Sequence, residues 1–463
     1  MLKYRRAVLA TGVATAAVAA WLAYRPDLAL QVAVGVAAHD VCSKTFTSGL
    51  DPGAVLAETL TRDGIGWLRW GLRAEVDRPA GRVVASLAGL LPARALHRPG
   101  LGCVLAKARE PAVIDTAAIS AARQTPALLP ALAGPEPVAA ASRQLEAALA
   151  QAFEEPPRPP LRRTKAVVIV KEDRIIAERY APGVGPDTPL MGFSMTKSVV
   201  NALIGMLALD GRVSPSQPAA IGEWQGAGDA RRGITIEHLM RMTSGLDADE
   251  TNSGFDISSR ILYLADDMGA AAARLPRRAP PDSRWHYSSP STLLLSRIIR
   301  EAAGGRAEDA LAFAHRRLFG PLGMRTAVLE TDATGAFIGS SYMFASARDW
   351  ARLGMLYLND GKIGGTRLLP EGWVDFSATS SLGTSYGAGF WTTRSEHAWA
   401  RRWREGGLPY GAFFASGDLG QRIVIMPAQR LLVVRLGDAV DPTGDMQGTL
   451  RLVREVLAAV QSR

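Results

Sequence analysis

The sequence predicts an α+β fold in which an antiparallel sheet is assembled from strands near both ends of one domain. Two runs rich in Val and Ile, 166–170 and 174–180, are joined by a short charged turn, which predicts an antiparallel hairpin. Three more strand-like runs, 412–416, 421–426 and 431–436, follow one another near the C-terminus. The residues between the two groups have mainly helical patterns, and a last helix follows the final strand. This order indicates a sheet flanked by helices, with an all-helical subdomain inserted between its two halves.

Composition and charge place the chain among folded globular proteins. Of its 463 residues, 48% are hydrophobic and 21% are charged, which is ordinary for a chain with one large and one smaller domain. The formal charge of +9 comes mostly from arginines that are spread along the chain in pairs. A nucleic-acid groove gathers basic and aromatic residues on one element, so this distribution argues against a nucleic-acid partner. It fits a surface facing anionic lipid slightly better.

The N-terminal segment, residues 1–26, differs from the rest. Basic residues at positions 3, 5 and 6 precede an apolar run over 7–24, the pattern of a signal peptide or of a signal anchor. Small residues at 17–19 offer a cleavage site, whereas aromatic residues at the end of the run favour an uncleaved transmembrane helix. We expect a single span in a bacterial inner membrane with the catalytic domain in the periplasm, or a secreted protein if the segment is cleaved.

Residues 27–107 are expected to form a small lobe stapled by a disulfide. The region combines an apolar helix, 28–37, with a candidate strand, 82–87, and contains both cysteines of the chain, Cys42 and Cys103. In an exported protein two cysteines should be paired, and closing a loop of this length stabilises a fold by about 4 kcal/mol in the chain-entropy model.

Residues 108–155 are predicted to link the lobe to a large domain over 156–463. Prolines interrupt any long element in the first part of this stretch, and only 141–153 has the pattern of a helix. The proline-rich residues 154–160 are typical of a stiff spacer. The domain boundary is therefore predicted near residue 155.

The large domain contains a serine and a lysine three residues apart, Ser194 and Lys197, at the start of an apolar helix. On a helix this spacing places both side chains on one face, so that the lysine amine can reach Ser194 Oγ. A serine attacks at neutral pH only beside a proton acceptor, and burial lowers the pKa of a lysine towards that role. The nearly all-apolar run 198–209 predicts such burial. The alternative is a capping serine with a surface lysine, but a surface lysine should not precede a fully apolar helix.

Two later stretches could complete a catalytic site. Tyr287 follows a proline-rich turn and is either a buried aromatic or a proton relay whose pKa a neighbouring positive charge would lower. In the stretch 416–421, glycines on an edge strand would let a substrate approach the backbone, and an N–H there could join that of Ser194 in holding an oxyanion. Read alone, this stretch is a hairpin turn. The candidates for substrate or oxyanion binding are Ser289, Asp418, Gly420 and Gln421.

With their order and flanking sequence, these stretches resemble the superfamily of serine hydrolases that includes class C β-lactamases, penicillin-binding proteins and related esterases and amidases. The resemblance covers about residues 160–460. It implies a β-lactamase/transpeptidase-like fold, Ser194 as the nucleophile, Lys197 and Tyr287 as the acid/base pair, an acyl-enzyme intermediate, and neither metal nor other cofactor. Within the superfamily the sequence looks nearest to the branch of 6-aminohexanoate-dimer hydrolase and carboxylesterases.

The sequence departs from that family pattern at two places. Ser289 stands where many members have Asn, and Asp418-Leu419-Gly420 stands where they have Lys-Thr-Gly or a triplet containing His. These departures keep the reaction class but argue against efficient β-lactam hydrolysis. The expected substrate is a small or peptide-like amide or ester, and the acidic Asp418 predicts that it is neutral or cationic.

Two rival interpretations are a Ser-His-Asp hydrolase and a membrane-tethered protein that binds cell-wall peptides without catalysis. The first requires Gly-x-Ser-x-Gly around the nucleophile, and position 196 is Thr. The second is favoured by Asp418. No Cys-x-x-Cys or His-Glu-x-x-His occurs and the six histidines are scattered, so no metal site is predicted.

Overall fold

The computed structural model describes residues 24–62 and 64–461. The predicted membrane segment, 1–26, therefore lies almost entirely outside the described residues. Within the described part of the chain, no helix combines the length and the apolar character needed to cross a bilayer.

A long helix and a four-stranded antiparallel sheet form the N-terminal lobe. The helix α1 (Pro26–Phe46) extends well past the predicted end at residue 37, because the polar residues that interrupt its apolar pattern are buried partners of the large domain. A disulfide joins Cys42 in this helix to Cys103 in the last strand of the sheet, which confirms the predicted pair. The other lobe elements are α2 (Pro52–Thr59), β1 (Leu72–Asp77), β2 (Arg82–Leu87), β3 (Leu90–Arg98) and β4 (Gly102–Ala106), with sheet order β1-β2-β3-β4.

The predicted linker is bound to the large domain along its length. Arg348 donates hydrogen bonds to the carbonyl oxygens of Gly134 and Glu136, at 2.6 and 2.8 Å, and Arg352 donates to that of Pro130 at 3.0 Å. The segment contains two helices, α3 (Ala117–Arg123) and α4 (Arg143–Phe153).

Helix α4, which precedes the predicted boundary near residue 155, packs on the large domain. The apolar face of α4, which includes Leu145 and Leu149, packs with the last helix of the chain over one face of the main sheet. The proline-rich residues 154–160 are mostly exposed and connect α4 to the first strand of that sheet. The stretch therefore joins two elements that pack on each other.

The large domain opens with the predicted hairpin and continues into the helical region. Strands β5 (Thr164–Lys171) and β6 (Arg174–Tyr180) pair antiparallel, as predicted. The helix that begins at Ile236 is short, because Met242 adopts a left-handed φ of 61° just after its end. The elements that follow β6 are β7 (Leu190–Met191), α5 (Thr196–Leu209), α6 (Ile236–Met240), α7 (Ile257–Leu264), α8 (Met268–Ala273), α9 (Ser289–Ala303), α10 (Ala307–Ala314), α11 (Gly320–Leu322), β8 (Val328–Leu329), β9 (Met343–Ala345), α12 (Ala347–Leu358), β10 (Lys362–Ile363), β11 (Thr366–Arg367) and α13 (Trp373–Ala378).

Strands from the C-terminal part of the chain complete the main sheet. These elements are β12 (Trp391–Thr392), α14 (Ala398–Glu405), β13 (Phe413–Gly417), β14 (Gln421–Met426), β15 (Leu431–Gly437) and α15 (Met446–Gln461). The sheet has the order β12-β13-β14-β15-β5-β6, so β15 pairs with β5 and joins the two halves as predicted. Helix α12 packs on one face of the sheet, and α4 and α15 cover the other. The α+β architecture is thus confirmed, with β13 placed next to the start of α5.

Candidate active site

Ser194 lies in a tight 3₁₀ turn, Phe193–Met195, that leads into α5. Phe193 has a φ of 46°, a left-handed conformation that is strained for a bulky residue and marks a sharp turn. Thr196 Oγ1 donates a hydrogen bond to Phe193 O at 2.7 Å and holds this turn in place. Its neighbour Gly192 packs against the ring of Trp350 with no space for a Cβ. The turn therefore presents a partly exposed Ser194 hydroxyl from a rigid support.

Lys197 reaches Ser194, as the spacing predicted. Its side chain is only 3% exposed, and Nζ donates hydrogen bonds to Ser194 Oγ at 3.0 Å, Ser289 Oγ at 3.1 Å and Ser340 O at 2.9 Å. All three contacting atoms are uncharged oxygens. Burial lowers the pKa of Lys197 to about 8, while the charge of Glu250 acts in the opposite direction. The amine is thus poised to lose its proton slightly above neutral pH.

Tyr287 lies on the other side of Lys197, inside an aromatic cluster. The centre of its ring is 4.8 Å from Lys197 Nζ and 5.8 Å from the ring centres of both Tyr386 and Trp391. Burial raises the pKa of Tyr287 well above its ordinary value, and a hydrogen bond with Ser194 acts weakly in the opposite direction. The expectation that a nearby cation lowers this pKa is wrong, because desolvation outweighs it. Tyr287 is a protonated phenol, able to donate a proton.

Sequence reasoning missed Glu250, which lies in the loop between α6 and α7 and belongs to no recognisable motif. The backbone N–H and the Oγ of Ser289 donate hydrogen bonds to the two carboxylate oxygens of Glu250, at 2.5 and 2.9 Å. Ser289 Oγ also accepts the hydrogen bond from Lys197. A continuous chain of hydrogen bonds therefore runs from Glu250 through Ser289 and Lys197 to Ser194.

Only the first part of the stretch 416–421 reaches the nucleophile. Strand β13 ends at Gly417, which packs so closely against Gly192 O that a side chain would not fit there. Ser416, Gly417 and Asp418 line a cavity that contains Ser194. The strand end, rather than the following turn, is therefore the backbone beside the reacting hydroxyl.

Gly420 and Gln421, in contrast, line neither of the two cavities that meet at Ser194. The chain turns away at Leu419, whose φ is 55°. The Gln421 side chain donates to the carbonyl oxygens of Asp418 and Gly437, at 3.1 and 2.5 Å, and accepts from Gly437 N at 3.0 Å. The prediction that these two residues contact substrate is corrected: Gln421 joins β14 to the end of β15.

Asp418 is exposed in the cavity and is not paired with Arg422. The Arg422 guanidinium is buried and donates instead to the carbonyl oxygens of Gly417 and Thr443, both at 2.8 Å. Burial lowers the pKa of Arg422 to about 10, and the charge of neighbouring Arg435 acts in the same direction. The Asp418 carboxylate therefore faces the cavity, and no cation within residues 24–62 and 64–461 donates a hydrogen bond to it.

Two cavities, each of about 460 Å³, meet at Ser194, Glu250 and Asp418. The aromatic cavity lies over β13 and is lined by Tyr287, Trp391 and Phe414, among others. The lobe cavity lies between the N-terminal lobe and the large domain, and Ser289 lines it. Both volumes are within the usual range for small-molecule sites. In the described residues, no group of three or more His, Cys, Asp or Glu side chains is arranged to hold a metal ion.

Comparison with known proteins identifies the family of the chain and agrees with this fold. The profile of the Beta-lactamase family matches residues 149–458. A 6-aminohexanoate-dimer hydrolase from Paenarthrobacter ureafaciens is 27% identical over 318 residues, which are 64% of this chain and 79% of that protein. The chain belongs to the β-lactamase family, and within it to the serine hydrolases that have amidase-type and esterase-type relatives.

Solved structures show the same fold. A putative 6-aminohexanoate-dimer hydrolase from Bacillus anthracis superposes with a TM-score of 0.55 and 23% identity, over 65% of this chain and 80% of that one. A family VIII carboxylesterase superposes with a TM-score of 0.53 and 16% identity, over 70% of this chain and 99% of that one. In both comparisons about a third of this chain has no counterpart.

Proposed function

We propose that the protein hydrolyses an amide or ester bond through an acyl-enzyme on Ser194, with Lys197 as the general base and Tyr287 as the general acid. The observation that carries this proposal is the contact between Lys197 Nζ and Ser194 Oγ inside a site that lowers the pKa of the amine.

The three partners of Lys197 suit the neutral amine as well as the charged one. A protonated amine donates to Ser194, Ser289 and Ser340 O. A neutral amine still donates to two of these oxygens and turns its lone pair to accept the Ser194 proton. The same geometry therefore serves before and after the base takes a proton.

The reaction proceeds in two balanced halves. Ser194 Oγ attacks the carbonyl carbon as its proton passes to Lys197, and the bond to the leaving group breaks as Tyr287 donates a proton to that group. Lys197 then returns a proton to Tyr287. In the second half, water attacks the acyl carbon and gives its proton to the same pair. The bond from that carbon to Ser194 Oγ then breaks as the pair returns the proton to Oγ, and the acid is released.

The oxyanion is best held by backbone N–H groups at two places. One is the N–H of Ser194, at the start of α5. The other is the N–H of Asp418, at the end of β13, since this strand end lies beside the nucleophile and the N–H groups of Gly420 and Gln421 do not. Fixed donors of this kind typically contribute about 10²–10³ in kcat.

Charge in the site favours neutral or cationic substrates. Asp418 lines both cavities, no cation among the described residues donates a hydrogen bond to it, and Glu250 adds a second carboxylate at their junction. Arg62 lines the lobe cavity, and Arg402 and Arg422 line the aromatic cavity, so the two carboxylates act mainly on substrate groups beside Ser194. A substrate carboxylate placed here would be repelled, so efficient hydrolysis of carboxylate-bearing β-lactams is not expected.

The protein is further proposed to be held in a bacterial inner membrane by its first 26 residues, with the catalytic domain in the periplasm, or to be secreted if that segment is cleaved. Supporting this location are the basic and apolar N-terminal pattern and the Cys42–Cys103 disulfide, a bond that persists in oxidising compartments. Recovery of the activity in the cytosolic fraction of the native host would refute it.

Turnover on a panel of p-nitrophenyl esters and D-amino-acid amides tests the proposed activity. We expect hydrolysis by the wild type and none above background by Ser194→Ala. A protein that binds cell-wall peptides without reacting would show neither turnover nor a covalent adduct with a fluorophosphonate or penicillin probe. That result would contradict the proposed hydrolase activity and support a binding protein.

A further inference from the structure

The N-terminal lobe supplies one wall of the lobe cavity. The helix α1 presents six apolar residues to this space, and their spacing places them along one side of the helix. They are Pro26, Ala29, Leu30, Val32, Ala33 and Val36. From Pro26 to Val36 this side is about 15 Å long, at 1.5 Å per residue.

Aromatic and aliphatic side chains continue the wall on the other sides. Ile65, Trp67 and Leu68 come from the lobe, and Leu262 and Phe255 come from the large domain. Trp67 and Phe255 are 64% and 49% exposed, although large aromatic side chains are usually more buried. The lobe cavity therefore has an apolar wall on the side of the lobe, while polar side chains such as Asn252 and Ser259 line it elsewhere and Ser194 lies at its junction with the aromatic cavity.

Buried ion pairs at the other end of α1 hold this wall in place. Glu330 is completely buried, with one carboxylate oxygen 2.7 Å from His39 Nε2 and the other accepting from Ser43 Oγ at 2.8 Å. Lys44 Nζ donates to Asp438 at 2.7 Å. Separating such pairs leaves uncompensated charge in the protein interior, so the wall is a fixed part of the site. The lobe also lies outside residues 149–458, which match the β-lactamase family.

Tyr287 determines which half of a substrate belongs in each cavity. It lines the aromatic cavity and not the lobe cavity. The leaving group needs the Tyr287 proton, so it departs on the aromatic side. The acyl group therefore extends to the opposite side, into the lobe cavity.

We propose that the lobe cavity binds the acyl chain of the substrate, and that the natural substrate is an ester or amide of a linear apolar acid. This inference rests on the proposed function of Ser194. An apolar wall of about 15 Å matches an extended chain of roughly ten carbons, because a carbon–carbon bond is about 1.5 Å long and the chain zigzags. Each buried methylene should raise kcat/KM by about threefold.

Two tryptophans in one turn provide a matched pair of variants. Trp67 and Trp70 are 64% and 63% exposed, but only Trp67 lines the cavity. We expect wild-type kcat/KM for p-nitrophenyl esters to rise on the order of 10³- to 10⁴-fold from acetate to decanoate, since eight methylenes are added. Trp67→Ala should lower the ratio of decanoate to acetate kcat/KM about tenfold, whereas Trp70→Ala should leave this ratio unchanged. Leu30→Trp should move the preferred acyl chain to a shorter length.

Acetate esters of longer alcohols are the second arm, since their chain lies on the leaving-group side. Their hydrolysis should not distinguish Trp67→Ala from Trp70→Ala. A flat dependence on acyl length, or equal effects of the two tryptophan variants, would overturn the inference while Ser194-dependent acetate hydrolysis remained. Absence of Ser194-dependent hydrolysis of any ester would overturn the proposed function as well.

Discussion

His39 and Lys197 are both buried, yet their pKa values shift in opposite directions. Burial disfavours the charged form of His39, but attraction to Glu330 and Asp40 outweighs it and raises the pKa to about 9. The hydrogen-bond partners of Lys197 are uncharged oxygens, and Ser289 lies between this amine and the Glu250 carboxylate. Burial therefore lowers the pKa of Lys197 to about 8. Direct contact with a carboxylate therefore decides whether a buried cation keeps its proton. The lobe contact therefore favours the protonated form of His39, and the active site shifts Lys197 towards its neutral form.

The largest effect is expected when the catalytic amine is removed. Lys197→Ala should lower kcat by about three orders of magnitude or more, and Tyr287→Phe should do the same, because members of one proton-transfer unit fail together. The measurement is steady-state ester hydrolysis, with circular dichroism to confirm folding. Near wild-type turnover by Lys197→Ala would contradict the mechanism.

Lys107 provides the control for that experiment. Burial lowers the pKa of Lys107 to about 8 as well, but its Nζ donates to Ala265 O, and it lines neither cavity at Ser194. We expect Lys107→Ala to retain kcat. A lowered lysine pKa thus marks a catalytic amine only when a nucleophile lies beside it.

Reversing the charge at residue 418 should have the next largest effect. Two unit charges about 6 Å apart interact by roughly 3 kcal/mol at an effective dielectric of 20, and the exposure of Asp418 reduces this value. We expect Asp418→Lys to raise kcat/KM for a carboxylate-bearing β-lactam, relative to a neutral p-nitrophenyl ester, by about ten- to a hundredfold. An unchanged ratio, or a wild type that already prefers the β-lactam, would make Asp418 a turn residue without a role in selectivity.

Removing the Glu250 charge should shift the pH profile rather than abolish activity. The base must be neutral, so kcat/KM should rise with pH through the pKa of Lys197, about 8. Glu250 raises this pKa, and Glu250→Gln should therefore move the acidic limb of the profile to lower pH. Asp418→Asn, which also removes a cavity carboxylate, should leave the limb in place. If the acidic limb of the pH profile stays in place in Glu250→Gln, Glu250 does not raise the pKa of Lys197.

The smallest effect concerns stability at the lobe contact. The folded pKa of His39, about 9, exceeds the ordinary value of 6.5, so the stabilisation is complete below pH 6.5 and is lost as the pH rises through 9. We expect the melting temperature to fall by a few degrees between pH 6.5 and 9.5, and this fall to be smaller in His39→Gln. His97→Gln is the control, because His97 in the same lobe stacks on Phe46 and forms no ion pair with a carboxylate. If the melting temperature falls equally in His39→Gln and in the wild type, His39 does not cause this pH dependence.

Much of the fold could be predicted because its elements have strong local signals. The main sheet follows from runs of Val and Ile separated by turns, and β14 has the predicted bounds 421–426. Helix α1 was predicted too short, since the ion pairs that bury His39 and Lys44 connect residues about 290 and 394 positions apart. Such partners leave no pattern in local sequence.

In the active site, too, residues with a local sequence signal could be predicted and residues joined by distant contacts could not. Ser194 and Lys197 could be paired from their spacing on one helix. Glu250 could not be found, because it reaches Ser289 across 39 residues from an irregular loop. Of the candidates for substrate or oxyanion binding, Asp418 lines the cavities at Ser194, whereas the left-handed turn at Leu419 directs Gly420 and Gln421 away from them. The triplet 418–420 can be aligned with its counterparts from sequence. The direction in which the chain continues after it depends on backbone φ and ψ angles that the residue types do not determine.

The rate at which a fluorophosphonate modifies Ser194, followed by mass spectrometry as a function of pH, tests the central claim most directly. If a neutral Lys197 activates Ser194, the rate should rise about tenfold per pH unit well below the Lys197 pKa of about 8 and level off above it. In Lys197→Ala the modification should be slower by orders of magnitude at every pH. A wild-type rate that is independent of pH between 6 and 10, or an adduct on a residue other than Ser194, would contradict the account.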